Sequence, residues 1–388
     1  MNRIIVTIVF CIGWMVCCAQ TKPVAVGAEA TNEYFPLLKG KRIAVLSNHT
    51  GMVGNEHLVD LLKRKDFNVV CIFSPEHGFR GNADAGEHVS SSMDEKTGIP
   101  ILSLYDGDTG KPSVKSMSLF DVLVFDLQDV GLRFYTYYAT MVRMMDACAE
   151  SQKKMIILDR PNPNGHYVDG PILDMKYKSG VGWLPIPVVH GMTLGELAMM
   201  VNGEKWLPEG RICDISVIKC KNYTHQTMYQ LPIPPSPNLP TMKAVYMYPS
   251  TCYFEATPVS LGRGTDKPFL VYGHPNMLSY SFSFTPRSIP GAKNPPQLNK
   301  ICYGVDLSNL SESDIWKKGV DLTYLIDAYT NLNMGDHFFR SFFEKLIGVS
   351  YVREMIKDGC SADEIKKKWS DDVEKFKKQR APYLLYQE

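Results

Sequence analysis

A short loop at residues 74–81 concentrates side chains that can transfer protons, since it contains the adjacent pair Glu76 and His77. Pro75 stiffens the entry to this loop, and Gly78 and Gly81 allow the backbone to turn tightly. The loop directly follows an apolar run typical of a buried strand. We therefore expect Glu76 and His77 to lie at the mouth of a sheet, where a carboxyl group can act as a general acid or base.

A second acidic group follows closely at Glu87, with His88 beside it. Most glycosidases use two carboxyl groups that flank the bond, one as acid and the other as base or nucleophile. Histidine and carboxylate also suit divalent ions, so a metal-dependent hydrolase that uses His49, Glu76, His77 and His88 is an alternative. The absence of an HExxH or similar helix-borne pair disfavours it. The sequence therefore favours a hydrolase without metal or other cofactor.

Several function classes lack their signatures in this chain. There is no GxSxG elbow, no P-loop and no GxGxxG, so serine acyl transfer, nucleotide hydrolysis and dinucleotide binding are not indicated. The 42 basic and 41 acidic residues leave a formal net charge of +1. Such a balance offers no electrostatic reason to expect nucleic acid or an anionic membrane surface as partner.

Strand and helix signals alternate in the first half of the chain. Alternation of this kind predicts parallel βαβ units, and hence an α/β fold with a Rossmann-like, mostly parallel sheet. A capping box, Thr193 with Glu196, predicts the start of one helix. The predicted strands are residues 43–47, 69–73, 101–105, 121–127, 155–158 and 186–189, and the first predicted helices are residues 57–64 and 137–151.

Polar loops follow four of these strands. Ligands of open α/β sheets bind beyond the carboxyl ends of the strands, so these loops are predicted to form the site. Asp126 and Asp129 are the further carboxyl groups there. The candidate binding residues of these loops are Asn48, His49, Arg80, Arg133, Asp159 and Asn162.

The length of 388 residues exceeds the size at which one core usually stops growing, so two domains are expected. Residues 231–240 contain five prolines, too many for a helix or a central strand, and are predicted to be the crossover between domains. We assign residues 32–232 to the Rossmann-like domain and residues 233–388 to a smaller α+β domain. The latter is predicted to close on a polar amphipathic helix at residues 361–379.

Residues 1–19 have the pattern of a signal peptide: Arg3, an apolar run too short to span a bilayer comfortably, and small residues before Gln20. We therefore predict an exported, periplasmic protein. The residues before Cys17 and Cys18 fit a lipid-attachment box poorly, so a lipoprotein is less well supported. No other run is long enough for a transmembrane helix. Seven scattered cysteines remain, which we expect to be mostly buried free thiols with at most one disulfide.

Six ordered motifs resemble those of the exo-β-N-acetylmuramidases of peptidoglycan recycling, a family formerly known as a domain of unknown function. The resemblance runs from about Tyr34 to Tyr386, nearly the whole mature chain. The motifs are SNHTG at residues 47–51, SPEHGFRG at residues 74–81 with DAGE at residues 84–87, DLQDVG with RFYTY at residues 126–137, DRPNP with DGP at residues 159–171, PSPNLP at residues 235–240, and Glu255 followed by GRGT at residues 262–265.

The resemblance implies a Rossmann-like domain and a smaller second domain with the active site in the cleft between them. It also implies release of N-acetylmuramic acid from non-reducing glycan ends, with peptidoglycan-derived amino sugars as ligands. Glu76 is the catalytic residue that the family favours. The matching motifs add Tyr135, Asn238, Glu255 and Arg263 to the candidate substrate-binding residues.

As general acid, Glu76 needs a pKa above the ~4.3 of a free glutamate, which an apolar pocket can provide. Phe79 or the aromatic residues at 134–138 could form that pocket. The second group is left open between Asp126, Asp129 and Glu87, acting as base or orienting the substrate acetamide. A periplasmic glycan-binding protein without catalysis is the alternative of another class.

N-acetylmuramic acid differs from N-acetylglucosamine by a lactyl ether that ends in a carboxylate, so a selective site should present a cation. Arginine suits this task because its planar fork can form two parallel hydrogen bonds. Arg80, Arg133 and Arg263 are the candidates, and Arg263 is the first choice because glycines flank it. The alternative is that Arg263 ties its loop to a carboxylate such as Asp266.

Overall fold

The computed structural model describes residues 22–75, 79, 92–104 and 111–388. Within these residues the strands are β1 (Ile43–Ser47), β2 (Met52–Val53), β3 (Glu56–His57), β4 (Val69–Phe73), β5 (Ser92–Met93), β6 (Pro100–Leu102), β7 (Val122–Asp126), β8 (Lys154–Leu158), β9 (Ile215–Ile218), β10 (Val271–His274), β11 (Phe282–Phe284) and β12 (Cys302–Asp306). The α-helices are α1 (Thr31–Leu38), α2 (Leu58–Arg64), α3 (Val114–Ser118), α4 (Tyr137–Glu150), α5 (Leu194–Gly203), α6 (Met242–Thr251), α7 (Glu312–Lys318), α8 (Thr323–Leu332), α9 (Phe343–Ile347), α10 (Tyr351–Lys357) and α11 (Ala362–Arg380).

The first half is organised around a seven-stranded sheet in the order β5-β6-β4-β1-β7-β8-β9. All its pairings are parallel except that of the edge strand β5 with β6. Taken in chain order, the six parallel strands follow the 3-2-1-4-5-6 arrangement of Rossmann folds. The predicted α/β class with a Rossmann-like sheet is therefore confirmed.

Burial explains why these segments form strands and helices. Strands β1 and β7 are buried along their whole length, as expected for parallel strands covered on both faces. Helix α4 covers one face of the sheet with the predicted apolar stripe that includes Met141, Met144 and Met145, all fully buried. Helix α5 begins at the predicted capping box, in which Thr193 and Glu196 bond each other's backbone amides.

The strand predicted at residues 186–189 is absent, which corrects the sequence interpretation. Pro185 and Pro187 remove two backbone donors from this segment, so it cannot form a continuous ladder. It makes isolated bridges through Val189 instead, to Leu132 and Asp169. The sixth parallel strand is β9, farther along the chain. The strand predicted at residues 101–105 is also displaced, since β6 spans Pro100–Leu102.

The second half contains a smaller antiparallel sheet in the order β10-β12-β11, surrounded by helices α6 to α11. The two sheets belong to different layers of the molecule, as expected for a two-domain α/β protein. One large apolar cluster nevertheless continues from the underside of the first sheet into the helices of the second half. The opposite face of the first sheet is covered by a separate cluster that includes Tyr34 and Leu38 of α1.

The C-terminal segment returns to the first domain. On α11, Trp369 donates from Nε1 to Asp169 at 3.0 Å, and Arg380 donates to the carbonyl of Gly191 at 2.7 Å. Beyond the helix, the Tyr386 hydroxyl donates to Asp159 at 2.6 Å. Residues near the end of the chain are thus part of the first domain's packing.

All seven cysteines of the described residues are free thiols, and six of them are buried, so no disulfide joins these parts. Over the same part of the chain, no helix combines the length and the apolar character needed to cross a membrane.

Candidate functional site

The point where the sheet order reverses lies between β1 and β7, and β4 is the other neighbour of β1. Leu46 is in register with Phe73 on one side and with Phe125 on the other. The loops after these three strands therefore leave the same edge of the sheet. In Rossmann-like folds this reversal opens the crevice where ligands bind.

The β1 loop is held by Asn48, which is fully buried. Its Oδ1 accepts hydrogen bonds from the amide and the hydroxyl of Thr50, at 3.0 and 2.6 Å, and its Nδ2 donates to the Tyr137 hydroxyl at 2.8 Å. The Thr50 hydroxyl in turn accepts from the amide of Gln128 in the β7 loop at 3.2 Å. Asn48 thus joins the β1 loop, the β7 loop and helix α4, and its described contacts give it a positioning role.

Asp126, at the end of β7, is fully buried against Arg160. Arg160 donates to both carboxylate oxygens, from Nε at 2.6 Å and from Nη2 at 3.0 Å. The same guanidinium also donates to the carbonyl of Met52 at 2.9 Å. A buried carboxylate whose charge and both oxygens are matched in this way is poorly placed to serve as a catalytic base.

Asp129, three residues farther on, has a different environment. Its Oδ2 accepts from the amide of Gly131 at 2.7 Å, but its buried Oδ1 has no hydrogen-bond partner within the described part of the chain. Burial raises the pKa of Asp129 to about 7, against hydrogen bonds from the backbone that lower it. The imidazole of His190 lies 4.0 Å away, and burial lowers the pKa of His190 to about 3. Asp129 is thus a carboxyl group that changes charge near neutral pH.

A cavity of about 290 Å³ lies between the two domains at this edge of the sheet. One wall comes from the first domain and the other from residues 236–269. Aromatic rings form much of the lining, with a few charged and polar groups, as is usual for small-molecule sites. The lining residues are Phe134, Tyr135, Thr136, Tyr137, Ala139, Thr140, Arg143, Gly180, Val181, Ser236, Asn238, Leu239, Tyr248, Glu255, Arg263 and Phe269.

Glu255 and Arg263 form an ion pair in the second wall. Arg263 donates to Oε1 of Glu255 from Nη2 at 2.6 Å and from Nε at 3.2 Å, and its guanidinium lies 5.1 Å from the ring centre of Phe269. The structure therefore shows Arg263 tied to Glu255, where the sequence suggested Asp266 as the alternative partner. Both side chains line the cavity, so both remain candidate binding residues.

The proline-rich run, which forms part of the second wall, is anchored to the first domain through its backbone. The Tyr135 hydroxyl donates to the carbonyl of Pro235 at 2.8 Å, and the imidazole of His49 lies 3.0 Å from the carbonyl of Pro234. Asn238 donates from Nδ2 to the carbonyl of Gly291 at 2.8 Å. Tyr135 and Asn238 also line the cavity, whereas His49 supports it from behind.

Arg133 is placed differently from its predicted role in binding substrate. Its side chain is fully buried and donates four hydrogen bonds to backbone carbonyls at 2.7–3.0 Å. Two of these carbonyls, Leu346 and Ile347, end helix α9, where a positive charge is also favoured by the helix dipole. The cavity lining does not include Arg133. Its described contacts give it a scaffold role, and its contact with substrate stays a prediction.

Asp159 and Asn162, both predicted to bind substrate, are also occupied by the scaffold. Asp159 accepts from the amide of Gly195 at the start of α5 at 2.9 Å and from the hydroxyl of Tyr386, and burial raises its pKa to about 6. Asn162 donates to the carbonyl of Met192 at 2.9 Å, and its amide group fills the space where a Cβ on Gly131 would lie. Neither residue lines the cavity.

Four candidates, Glu76, His77, Arg80 and Glu87, lie outside the described residues. The described chain on the Glu76 side ends at Pro75, directly after β4 and beside the β1 loop. Among the residues that are described, no three His, Cys, Asp or Glu side chains are grouped as metal ligands.

Two residues of the cavity, Thr140 and Arg143, were missed because they belong to an otherwise apolar helix, whereas Tyr137 is part of the aromatic run at residues 134–138 named from the sequence. Tyr137, Thr140 and Arg143 follow one another at three-residue spacing on α4 and all line the cavity. Polar residues at this spacing share one face of a helix. That pattern was visible in the sequence, although the face to which it belongs depends on how α4 packs.

Comparisons with known proteins agree with this geometry. Family models described as the N-terminal and C-terminal parts of exo-β-N-acetylmuramidase NamZ match residues 43–243 and 246–386. A Bacillus subtilis (strain 168) protein, peptidoglycan β-N-acetylmuramidase NamZ, is 39% identical over 379 residues, which cover 91% of this chain and 89% of that protein.

Two solved structures of DUF1343 family proteins, both from Bacteroides fragilis NCTC 9343, have the same fold. One is 71% identical with a TM-score of 0.90, covering 95% of this chain and 100% of that one. The other is 29% identical with a TM-score of 0.78, covering 94% and 99%. The two family models together match almost all of the described sheet and helices. The chain therefore belongs to the exo-β-N-acetylmuramidase NamZ family and is a glycosidase.

Proposed function

We propose that this glycosidase releases N-acetylmuramic acid from the non-reducing ends of peptidoglycan fragments, with Glu76 as general acid. We also propose that the protein is exported and acts in the periplasm. The observation that carries the proposal is the cavity with aromatic rings in its lining, which follows the β7 loop at the point where the sheet order reverses. Its volume of about 290 Å³ is at the lower end for ligand sites, and such a volume suits a terminal sugar better than an extended chain.

Chain connectivity supports Glu76 as the acid. It follows Phe73, the last residue of β4, by three residues in the sequence. Strand β1 separates β4 from β7, and two strand spacings amount to about 10 Å. The loops that carry Glu76 and Asp129 therefore start at the same sheet edge, at a separation that a sugar and a water molecule could bridge.

Asp129 is the second carboxyl group that we assign to the reaction. Asp126 is neutralised by Arg160, whereas the pKa of Asp129 of about 7 suits proton exchange near neutral pH. Asp129 also lies close enough to Tyr135, a residue of the cavity wall, to help raise the pKa of that phenol. In this proposal Asp129 either activates water or orients the acetamide of the substrate.

The test replaces Glu76 by glutamine, which keeps the shape and removes the titratable proton. Without general acid catalysis, turnover of a chromogenic N-acetyl-β-muraminide whose leaving group needs protonation should fall roughly 100- to 10,000-fold. Glu95, an exposed glutamate of the first domain, offers a matched control, and Glu95→Gln should keep full activity. A Glu76→Gln variant that retains more than about a tenth of wild-type turnover would refute the assignment. Wild-type protein that binds the sugar without turning it over would instead indicate a glycan-binding protein.

A further inference from the structure

Two cations lie over a single indole next to the cavity, and one of them, Arg143, is part of its lining. Arg143 of α4 lies over the ring of Trp183, with Cζ 4.5 Å from the ring centre, and Nζ of Lys178 lies 4.2 Å from the same centre. Arg143 lines the cavity, and so do Gly180 and Val181, which lie in the turn between Lys178 and Trp183. We call Arg143, Lys178 and Trp183 the cationic wall.

This wall is built into the scaffold. The amide of Trp183 donates to the Tyr138 hydroxyl of α4 at 2.8 Å, and Ser179 and Gly182 pair across the turn. Tyr138 itself is fully buried. The indole and the guanidinium therefore come from two elements that are hydrogen-bonded to each other, which limits how far Arg143 can swing.

The two positive charges repel each other. Both lie within 4.5 Å of one ring centre, so at most about 9 Å separates them, less than a Debye length at moderate salt. The ring offsets part of this repulsion through cation–π attraction. An anion in the adjoining cavity would be attracted to both charges.

Two of the three arginines predicted to bind a carboxylate, Arg263 and Arg133, are less suited to it, and the third, Arg80, lies outside the described residues. The charge of Arg263 is matched by Glu255, to which both Nε and Nη2 donate. Arg133 is buried outside the cavity, and both of its terminal nitrogens donate to backbone carbonyl oxygens. Arg143 lines the cavity with its guanidinium over the indole and with Lys178 over the same ring, and this geometry is the basis for assigning it an anionic group of the ligand.

We propose that Arg143 binds the lactyl carboxylate of N-acetylmuramic acid, assisted by the charge of Lys178, and so selects this sugar over N-acetylglucosamine. This inference rests on the proposed function. A planar guanidinium held against an indole presents its N–H groups at the edge, where a carboxylate can accept two of them. Arg143 thereby becomes a specificity residue, and it takes no part in proton transfer.

The experiment compares kcat/KM of the wild type and Arg143→Gln on three aryl glycosides: the β-muraminide, the same compound with its lactyl carboxylate converted to an amide, and the β-glucosaminide. The wild type should prefer the acid to the amide. In Arg143→Gln this preference should fall about 10- to 150-fold, the value of a hydrogen-bonded charge pair. Turnover of the amide and of the glucosaminide should change far less.

Two further variants keep the test sharp. Arg143→Lys retains the charge without the planar fork and should lose an intermediate part of the preference. Lys176→Gln removes a nearby exposed lysine that also lies over an aromatic ring, that of Tyr177, but does not line the cavity, so the preference should be unchanged. Equal losses on all three substrates in Arg143→Gln would overturn the inference, because they would mean that Arg143 supports the fold of the wall.

Failure of the proposed function would have a different signature, namely that the wild type turns over none of the three substrates. Calorimetric binding of free N-acetylmuramic acid and of its lactyl amide would then decide the inference by itself. A preference for the acid that disappears in Arg143→Gln would support it. Equal binding of acid and amide by the wild type would overturn it.

Discussion

Replacing Arg133 by methionine should destabilise the protein without changing how it recognises substrate. Methionine fills much of the same space but cannot donate, so the carbonyls of Pro171, Ile186, Leu346 and Ile347 lose a buried donor. A buried acceptor left without a partner costs about 1–3 kcal/mol. The Ile186 carbonyl still accepts from the Leu173 amide at 3.2 Å, so the other three acceptors set the cost. The lower value for each of them, which allows for the recovered desolvation of the guanidinium, leads to a loss of about 3 kcal/mol in the free energy of unfolding.

Urea unfolding followed by tryptophan fluorescence would measure this loss, and steady-state kinetics under folding conditions would provide KM. Gly348, which faces the guanidinium of Arg133, provides the second position for a double-mutant comparison. It has φ of +87°, and a Cβ there would lie 2.5 Å from Nη2 of Arg133. Gly348→Ala should therefore cost less in the Arg133→Met background than in the wild type, because the clash has gone and only the backbone strain remains.

The outcome that would refute this reasoning is an Arg133→Met protein with wild-type stability and a raised KM for the muraminide alone. Arg133 would then contact the substrate, as its motif first suggested. Additive costs of the two substitutions would also contradict the described contact between Arg133 and Gly348.

Two predictions concern the pH response and the start of the chain. Because burial raises the pKa of Asp129 from the ordinary value of 3.8 to about 7, its contribution to stability is fully present below the unfolded pKa and is lost as the pH rises through about 7. The stability of Asp129→Asn relative to the wild type should therefore rise by on the order of 3 kcal/mol between about pH 4 and pH 8. His190 stays neutral over that range because its pKa is about 3. Parallel curves of Tm against pH for the two proteins would exclude this. Protein purified from its natural host should begin at Gln20, and mass spectrometry that detects Met1 or a lipid-modified cysteine would contradict the proposed export.

Much of the fold could be predicted from the sequence, because its signals are local. Buried parallel strands are continuous apolar runs, and β1, β4 and β7 begin and end within a residue of their predicted bounds. Right-handed crossovers then leave few possible strand orders. The segment at residues 186–189 shows the limit of this approach, since its apolar character reflects burial. Pro187 within the segment and Pro185 directly before it prevent a ladder.

The roles of individual site residues were much harder to predict, because they depend on partners that are distant in the chain. Arg133 and Arg143 are ten residues apart, and nothing local marks the first as a partner of carbonyls more than 200 residues away. Asp126 and Asp129 belong to the same motif, yet only the position of Arg160 separates a neutralised carboxylate from one that titrates near pH 7.

Membership of a motif and contact with substrate are therefore separate properties in this enzyme. Gly131 illustrates the first: its positive φ and the amide group of Asn162 exclude any side chain, so the motif residue maintains a turn that orients Asp129. Arg143, which we propose to contact the substrate, illustrates the second, since it lines the cavity but lies outside every motif. Few sequences can form a turn that holds a carboxyl group in place. A cation, by contrast, can be presented from several positions of a cavity wall. The residues that set sugar specificity are therefore better sought in the cavity lining than in the motifs.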